Sequence, residues 1–289
     1  MNNGAMKFTR PDADFFVPDG ASEEAALKRA THMGIGAHAD DLEIMAYHGI
    51  LECFGAKDKW FFGVTSMNGA DSPRSGPYAN TTNPEMVVIR RQEQRNAAVL
   101  GEYSGMIQLA HPKLDGENPA YWPLLDDLTE ILKVAHPQVV YTHNLADKHD
   151  AHVSVAMKVV EALRRMPKEA RPKKVYGCEV WRNLDWMHDP DKVSFDVSAH
   201  ENLAASLLGL FDSQIAGGKR YDLATLGRRR SNATFAETLG LDKSTHVTLA
   251  MDLTPLVNDP ALDPVQYVRS KVDHFWENVQ GRMEKYRVK

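Results

Sequence analysis

The chain has 289 residues, enough for one large domain or two small ones. Its 43% hydrophobic and 25% charged residues are typical of a globular protein, and its net charge of −5 gives no basic footprint for nucleic acid or an anionic membrane surface. Two cysteines are too few for a disulfide framework, and no apolar run is long enough to span a membrane. Because the N-terminus also lacks the pattern of a signal peptide, we expect a cytoplasmic protein whose first few residues are disordered or expression-derived.

Short apolar runs alternate with helical patterns over the first two-thirds of the chain. The predicted strands cover residues 32–37, 60–65, 106–109, 138–142 and 174–181. The predicted helices between them cover about residues 42–51, 86–100, 119–135 and 150–163. This alternation is typical of βαβ units. We therefore predict an α/β fold, a Rossmann-like and mostly parallel sheet with helices on both faces.

Local signals mark several boundaries of these elements. Gly55 is placed to follow the end of the first of these helices in the left-handed conformation. Asn83 is predicted to cap the next helix, with Pro84 in its first turn and Gly101 after its last residue. The polar loop 68–83 that precedes this helix has no periodicity of its own, and loops of that length are usually functional or disordered.

The α/β rhythm weakens beyond about residue 195. The remainder of the chain contains a helical pattern near 201–211, a basic segment at 217–232, a short apolar run at 246–251 and an amphipathic helix from about Pro264. No repeat or low-complexity linker divides the chain. We therefore predict an N-terminal extension (1–20) and a single domain (21–289), with an α/β core at about 31–195 and a C-terminal elaboration at about 196–289. Whether the chain forms a homo-oligomer stays open.

Residues 34–41, which read GIGAHADD, carry the strongest chemical signal. They lie where the first predicted strand gives way to a helix, and open α/β sheets hold their ligands at such junctions. His38 and Asp41 are three residues apart across the turn, so both side chains can reach one ion. Zinc accepts imidazole and carboxylate, and catalytic zinc sites commonly hold three protein ligands and a water. The segment therefore predicts part of a zinc site.

A second segment, residues 147–152, reads DKHDAH and follows the fourth predicted strand. In a parallel sheet this loop emerges at the same edge as the first one, so His152 could supply the third ligand. Asp40 is then placed to act as general base on the water. His149 could stabilise the oxyanion or protonate the leaving amine, oriented by Asp147 or Asp150.

Together these residues resemble the PIG-L/LmbE-like family of zinc-dependent N-acetylglucosamine deacetylases. The family motifs A-H-P-D-D-E and D-R-H-P-D-H correspond here to residues 37–42 and 147–152, and a helix motif R-x-x-E corresponds to residues 90–93. The resemblance covers about residues 31–215. It implies a Rossmann-like fold and one zinc ion per chain, and it assigns roles as follows: zinc ligands His38, Asp41 and His152, general base Asp40, oxyanion stabiliser or acid His149, and substrate contact Arg90 or Arg91.

This chain departs from the family motifs at three places. Ala39 replaces a proline, Leu42 replaces a glutamate that Glu43 could supply one residue later, and Ala151 replaces an aspartate between the two histidines. The predicted ligands and base are intact. We therefore expect changes in the residues around them, including whatever orients His149.

The favoured function is zinc-dependent removal of an N-acetyl group from a small N-acetylglucosamine-type amino sugar or conjugate. An amidase acting on a larger aminosugar conjugate is an alternative. A different class, a non-catalytic dinucleotide-binding protein, is suggested by Gly34-x-Gly36 after the first strand, but the third glycine of that fingerprint is replaced by Ala39. Trp181, Trp186 and Tyr221 are candidates for stacking on a sugar, although aromatic residues in such places are usually core.

Overall fold

The computed structural model describes residues 6–288. The expectation about the first few residues therefore lies mostly outside the described part. One sheet runs through the molecule, and its strands in chain order are β1 (Asp14–Phe16), β2 (His32–Gly36), β3 (Phe61–Met67), β4 (Gly105–His111), β5 (Val139–His143), β6 (Lys174–Cys178), β7 (Lys192–Asp196) and β8 (Val247–Asp252).

The helices of the described residues are α1 (Glu23–Lys28), α2 (Asp41–Met45), α3 (Tyr47–Cys53), α4 (Asn83–Leu100), α5 (Lys113–Glu117), α6 (Trp122–Ala135), α7 (Asp150–Arg164), α8 (Glu201–Gly209), α9 (Asp212–Ile215), α10 (Tyr221–Thr234), α11 (Thr254–Asn258) and α12 (Pro264–Lys285). Short 3₁₀ turns cover Gly76–Tyr78, Lys168–Ala170 and Asp189–Asp191. In the described part of the chain, no helix combines the length and the apolar character that a membrane span requires.

The strand order is β1-β4-β3-β2-β5-β6-β8-β7. The five central strands, from β4 to β6, are parallel to one another. Strand β1 pairs antiparallel with β4 at one edge, and β8 and β7 continue the sheet antiparallel at the other. The prediction of a mostly parallel sheet is confirmed.

Two apolar clusters lie on the two faces of this sheet. One contains buried residues of α1, α6, α7 and α11, and the other contains buried residues of α2, α3, α4 and α8. Strand β2 shows how one strand serves both faces: Met33 and Ile35 belong to the first cluster, whereas a Cβ at Gly34 or Gly36 would meet Leu42 of the second. Helices on both faces confirm the predicted class.

The predicted helix at 42–51 is two helices, α2 and α3, joined at Ala46. The buried guanidinium of Arg229 donates from Nη2 to the carbonyl oxygens of Glu43 (2.8 Å) and Ile44 (3.2 Å). A side chain from α10 thus satisfies carbonyl groups at the end of α2, which a continuing helix would otherwise use. Gly55 does adopt a left-handed conformation after α3, with φ of 68°.

Helix α4 begins one residue earlier than its predicted cap implies. Thr82, and not Asn83, is the N-cap, because its backbone N–H donates to the Glu85 carboxylate at 2.8 Å and its hydroxyl donates to the same oxygen at 2.7 Å. This is the pairing of a capping box. Asn83 is instead the first helical residue.

Both ends of the sheet include strands that the sequence pattern did not reveal. Residues 14–16, within the segment set apart as an extension, pair with β4. Strand β7 is half-exposed, and its sequence KVSFD mixes polar with apolar residues, so it lacks the apolar run of the central strands. The predicted strand at 174–181 ends at Cys178, and the chain then turns toward the site described below.

Candidate metal centre and active site

The two histidine-containing segments meet at one edge of the sheet. Strands β2 and β5 are hydrogen-bonded neighbours and run parallel, so their carboxyl ends lie side by side. His38 lies two residues after β2, and Asp41 is the first residue of α2. His152 lies in the first turn of α7, which follows β5. The topology therefore brings the three predicted ligands together.

The potential ligand atoms of His38, Asp41 and His152 all lie within 4.8 Å of one another. Nδ1 of His38 is 3.3 Å from Oδ2 of Asp41, and Nε2 of His152 is 3.4 Å from Oδ1 of Asp41. Asp41 and His152 are buried and His38 is partly exposed. These two imidazole nitrogens and one carboxylate oxygen could hold a metal ion, and the partly exposed His38 leaves one side of the group open.

Asp41 is held by groups from both strand ends. Its Oδ2 accepts the backbone N–H of His38 at 2.7 Å, and Nε2 of His143 lies 3.3 Å from the same oxygen. Burial alone would raise the pKa of Asp41, but the nearby imidazoles of His152 and His143 hold it well below its ordinary value. The side chain therefore stays a carboxylate, which is the form that binds a cation.

His152 has a neutral imidazole. Burial lowers its pKa to about 3 despite the attraction of Asp41. Its Nδ1 is 3.7 Å from Oδ2 of Asp147, an oxygen that also accepts the backbone N–H of Trp181 at 3.0 Å. Among the described residues neither ring nitrogen of His152 has a hydrogen-bond partner, although both are buried. A buried imidazole of this kind can bind a metal through Nε2 while a carboxylate orients Nδ1.

Asp40 lies beside the cluster in a left-handed conformation, with φ of 85°. Its backbone N–H donates to Oε1 of Gln94 at 3.2 Å, and its Oδ1 is 3.7 Å from Nη2 of Arg90. Its Oδ2 is buried without a hydrogen-bond partner among the described residues. Burial raises the pKa of Asp40 well above its ordinary value, against the opposing attraction of Arg90. The turn thus gives Asp40 and Asp41 different environments.

His149 is the N-cap of α7, and its Nδ1 accepts the backbone N–H of Ala151 at 3.2 Å. From this contact we infer that the proton of the neutral ring is on Nε2. Burial lowers the pKa of His149, and the positive charge that His38 can carry lowers it further. The ring stacks on that of His152, with centroids 4.5 Å apart.

The expected carboxylate partner of the His149 ring is not present in the described residues. Asp147 accepts the backbone N–H of His149 at 3.0 Å through Oδ1, and its other oxygen faces His152. Among the described residues, neither a hydrogen bond nor an ion pair joins Asp150 to the ring. The expectation that either aspartate orients the ring was therefore wrong, because the helix N-terminus itself orients it through the N–H of Ala151.

The alternative between Arg90 and Arg91 is decided by which face of α4 each occupies. Arg90 is buried, lines the cavity and donates through Nη2 to the carbonyl oxygen of Ala39. Its Nε and Nη1 have no hydrogen-bond partner among the described residues. Arg91 instead donates to the carbonyl oxygen of Asp12 at 2.6 Å. Of the two arginines, Arg90 is therefore the one placed to contact a molecule bound in this cavity.

Two groups beside the cluster were not among the residues singled out in the sequence. His143 is buried, and its Nε2 accepts the N–H of Ala37 at 2.9 Å. Its place at the carboxyl end of a predicted strand could have indicated this role. Gln94, which holds the backbone of Asp40, gave no signal because it lies in the middle of an ordinary helical pattern.

A cavity of about 610 Å³ opens over the cluster. The start of loop 68–83, from Asn68 to Pro73, forms part of its wall, and Trp181 and Tyr221 line it as well. Trp186, the third stacking candidate, does not line it. The outer part of the loop is attached to α9, since the Tyr78 hydroxyl donates to Asp212 at 2.8 Å. The loop therefore helps to enclose the site.

The fold and site define a class: a Rossmann-like α/β protein with a His-Asp-His cluster in a cavity at the carboxyl edge of β2 and β5. A more particular assignment comes from comparison with known proteins. Residues 33–163 match the PIG-L family model, described as GlcNAc-PI de-N-acetylase, so this segment is a PIG-L domain. The resemblance deduced from the two histidine motifs is thereby confirmed. No curated protein matches the chain.

Several solved structures share the fold. GalB, the 4-carboxy-2-hydroxymuconate hydratase from Pseudomonas putida, is 16% identical, with a TM-score of 0.57 over 78% of this chain and 97% of that one. A conserved protein from Thermus thermophilus is 15% identical, with a TM-score of 0.59 over 81% and 99%. The N,N'-diacetylchitobiose deacetylase from Pyrococcus horikoshii is 14% identical, with a TM-score of 0.55 over 75% and 82%. At these identities the likeness establishes the fold alone.

The glycines that suggested a dinucleotide site have another use. A Cβ at Gly34 would come within 2.7 Å of the Phe61 ring, and one at Gly36 within 3.0 Å of the Asp41 side chain. These glycines allow α2 to pack closely on the sheet. The position expected for a pyrophosphate is occupied by Asp40 and Asp41, whose carboxyl groups would oppose a phosphate.

Proposed function

We propose that this protein is a zinc-dependent hydrolase that removes an N-acetyl group from an N-acetylglucosamine-type amino sugar or conjugate. The observation that carries the proposal is the convergence of His38, Asp41 and His152 next to Asp40, whose Oδ2 is buried without a partner in the described residues. The PIG-L domain and the deacetylase among its structural neighbours support the same reaction.

The residues present fit a divalent cation. They offer two imidazole nitrogens and a carboxylate oxygen, within 4.8 Å of one another and open on the side of His38. Both ring nitrogens of His152 lack hydrogen bonds within the described residues, which is costly for buried polar atoms unless another group satisfies them. Iron and cobalt accept the same donor atoms, so protein reconstituted with zinc, with iron and with cobalt has to be compared. One such site per chain is proposed.

When bound, the cation would supply Lewis-acid chemistry, which polarises the amide carbonyl and lowers the pKa of an attacking water. Asp40 accepts the proton of that water through Oδ2 as the new C–O bond forms at the amide carbon. His149 presents Nε2–H to the oxygen on which negative charge develops. The C–N bond then breaks, the amine leaves with a proton relayed from Asp40 or His149, and acetate is released.

The cavity also offers groups for the sugar. Arg90 has N–H groups without a partner in the described residues that can donate to substrate hydroxyls, and its contact with Ala39 ties it to the turn that carries Asp40. Trp181 and Tyr221 form an edge-to-face pair with centroids 6.0 Å apart on the cavity wall. An aromatic surface of this kind suits the apolar face of a pyranose ring. We propose a small-molecule substrate, with neither nucleic acid nor membrane as partner, and a cytoplasmic location.

The test is release of acetate from a panel of N-acetylated mono- and disaccharides by protein reconstituted separately with zinc, iron or cobalt, with chelator-treated protein as control. We expect metal-dependent acetate release from at least one amino sugar. Release only from larger N-acylated conjugates would favour the alternative amidase activity. Metal-independent release, or no release from any member of the panel or from larger conjugates, would contradict the proposed reaction.

A further inference from the structure

The rim of the cavity carries a group of cations that the proposed reaction does not use. We propose that Lys148 and Lys219, whose ammonium groups both lie near the Trp181 ring, form a subsite for an anionic substituent of the substrate, a phosphate or a carboxylate. The inference rests on the proposed function insofar as the remainder of that substrate is an N-acetylated sugar. The subsite itself can be tested with ligands that have no acyl group.

The two ammonium groups converge on one aromatic ring. Nζ of Lys219 is 4.9 Å from the centroid of Trp181, and Nζ of Lys148 is 5.9 Å from the same centroid. Both lysines line the cavity that contains His38, Asp41 and His152. They come from separate segments, the loop before α7 and the turn before α10. The tertiary fold therefore places two positive charges near one aromatic ring in the cavity wall, where an anion would be attracted to both.

Neither ammonium group has a carboxylate partner among residues 6–288. No acidic oxygen lies within 4.0 Å of Lys148 or Lys219 in the described part, whereas Lys59, for comparison, pairs with Glu52 at 2.5 Å. Trp181 cannot serve instead, because contact with an aromatic face does not neutralise a charge. The N–H donors of both lysines are therefore available to a ligand.

The wall contains three further cations, of which Arg90 and Lys113 have acidic neighbours, Asp40 at 3.7 Å and Glu117 at 3.9 Å. Lys113, Arg90 and Arg228 also line the cavity. Arg228 donates to the carbonyl oxygen of Val180, which keeps its guanidinium next to Trp181. The acidic residues of the wall are Asp40, Asp41 and Asp71; Asp41 belongs to the His-Asp-His cluster and Asp40 lies beside it.

The charge of the rim is opposite to that of the chain. The whole protein carries a net charge of −5, yet lysine and arginine outnumber aspartate and glutamate in the wall of this cavity. Clefts lined by one sign of charge concentrate ligands of the opposite sign. The excess of cations in this wall does not follow from the charge of the whole chain, which is acidic overall. The cavity therefore discriminates in favour of a negatively charged molecule.

Glucose, glucuronate and glucose 6-phosphate separate this proposal from the reaction, because they share a pyranose ring, differ in charge and contain no amide. Their affinities for the unmodified, metal-loaded protein can be measured by titration calorimetry at low ionic strength. We expect at least one of the two anions to bind about tenfold more tightly than glucose, as charge-assisted hydrogen bonds allow. The stronger of the two identifies the source, carboxylate or phosphate.

The double variant Lys148→Met and Lys219→Met keeps the apolar stems against Trp181 and removes both charges. We expect it to lose the preference for the anion over glucose, and Lys148→Arg with Lys219→Arg to restore it. Lys57→Met is the control for the loss of a lysine charge elsewhere on the protein, since Lys57 is exposed and lies outside the cavity wall. This control should retain the full preference.

The outcomes separate the two hypotheses. Equal affinities of all three sugars for the unmodified protein, or an unchanged preference in the double Met variant, would overturn the anionic subsite even if acetate release is observed. If the preference for an anionic sugar depends on the two lysines but the protein releases no acetate from any amino sugar, the subsite would be supported and the proposed reaction contradicted.

Discussion

The inner end of the cavity and its rim hold their functional groups in different ways. At the inner end, Asp41 accepts a backbone N–H, the backbone of Asp40 is bonded to Gln94, and His149 is oriented by the N–H of Ala151. At the rim, Lys148 and Lys219 only contact an aromatic ring. The inner groups are thus fixed before any ligand arrives, whereas the rim can adapt to one. Fixed groups suit chemistry and adaptable ones suit recognition.

The largest effect is expected at Asp41, which contacts both histidines of the cluster. Asp41→Ala removes the only carboxylate among the three grouped ligands, so we expect metal content to fall to a small fraction of one ion per chain and activity to fall with it. Metal analysis by mass spectrometry after gel filtration measures this directly. Full metal occupancy in the variant would contradict the assigned ligand set.

Asp40→Asn separates proton transfer from metal binding. The amide preserves the shape of the side chain but cannot accept the water proton, so we expect turnover to fall by about 10²- to 10⁴-fold while the metal is retained. Metal content and acetate release are measured on the same sample. If this variant lost its metal and the Asp41 variant kept it, the division of roles between the two aspartates would be reversed.

His149→Gln tests the residue that the helix N-terminus orients. The amide can still donate a hydrogen bond but cannot become a cation, so we expect about a 10- to 10³-fold loss of kcat. Metal content should not change. A small change in KM would place the effect in the transition state, whereas a large rise in KM with unchanged kcat would show that His149 only binds substrate.

The smallest effect is expected at Glu179, two residues before Trp181, and it concerns the pH dependence of the free energy of unfolding. Glu179 is buried and accepts the N–H groups of Leu184 at 3.2 Å and Leu249 at 3.1 Å. Burial raises the pKa of Glu179 above its ordinary value of 4.5, although Arg228 and these hydrogen bonds oppose the shift. The folded state therefore keeps the proton to higher pH than the unfolded chain does. The contribution of Glu179 to stability consequently decreases as pH rises from 4.5 through the folded-state pKa.

Glu179→Gln cannot titrate, so its free energy of unfolding should decrease less than that of the unmodified protein over this pH range. Urea unfolding at a series of pH values measures the two slopes. Identical slopes would show that Glu179 has the same pKa in both states. Because the same segment carries Trp181, a change in the preference for anionic sugars in this variant would show that the rim depends on its buried support.

The site residues with local sequence signals were predictable to different degrees. His38 and Asp41 are three residues apart after a strand, and His152 follows a second strand, so parallel topology was enough to predict that they meet. Arg90 could not be separated from Arg91, because that choice depends on which face of α4 turns inward. Gln94 and Arg229 had no local signal, since each acts only through a contact with a distant segment.

The sequence by itself determined the alternation of strands and helices, the two ligand-bearing junctions and the resemblance to the PIG-L family, because periodicity and short motifs are local properties. Only the tertiary structure decided that α2 ends where Arg229 takes its carbonyl groups and that a backbone N–H orients His149. It also decided that lysines from two separate segments meet on Trp181. These features depend on contacts between residues far apart in the chain, or on the exact course of the backbone at a helix start, and no local pattern records them.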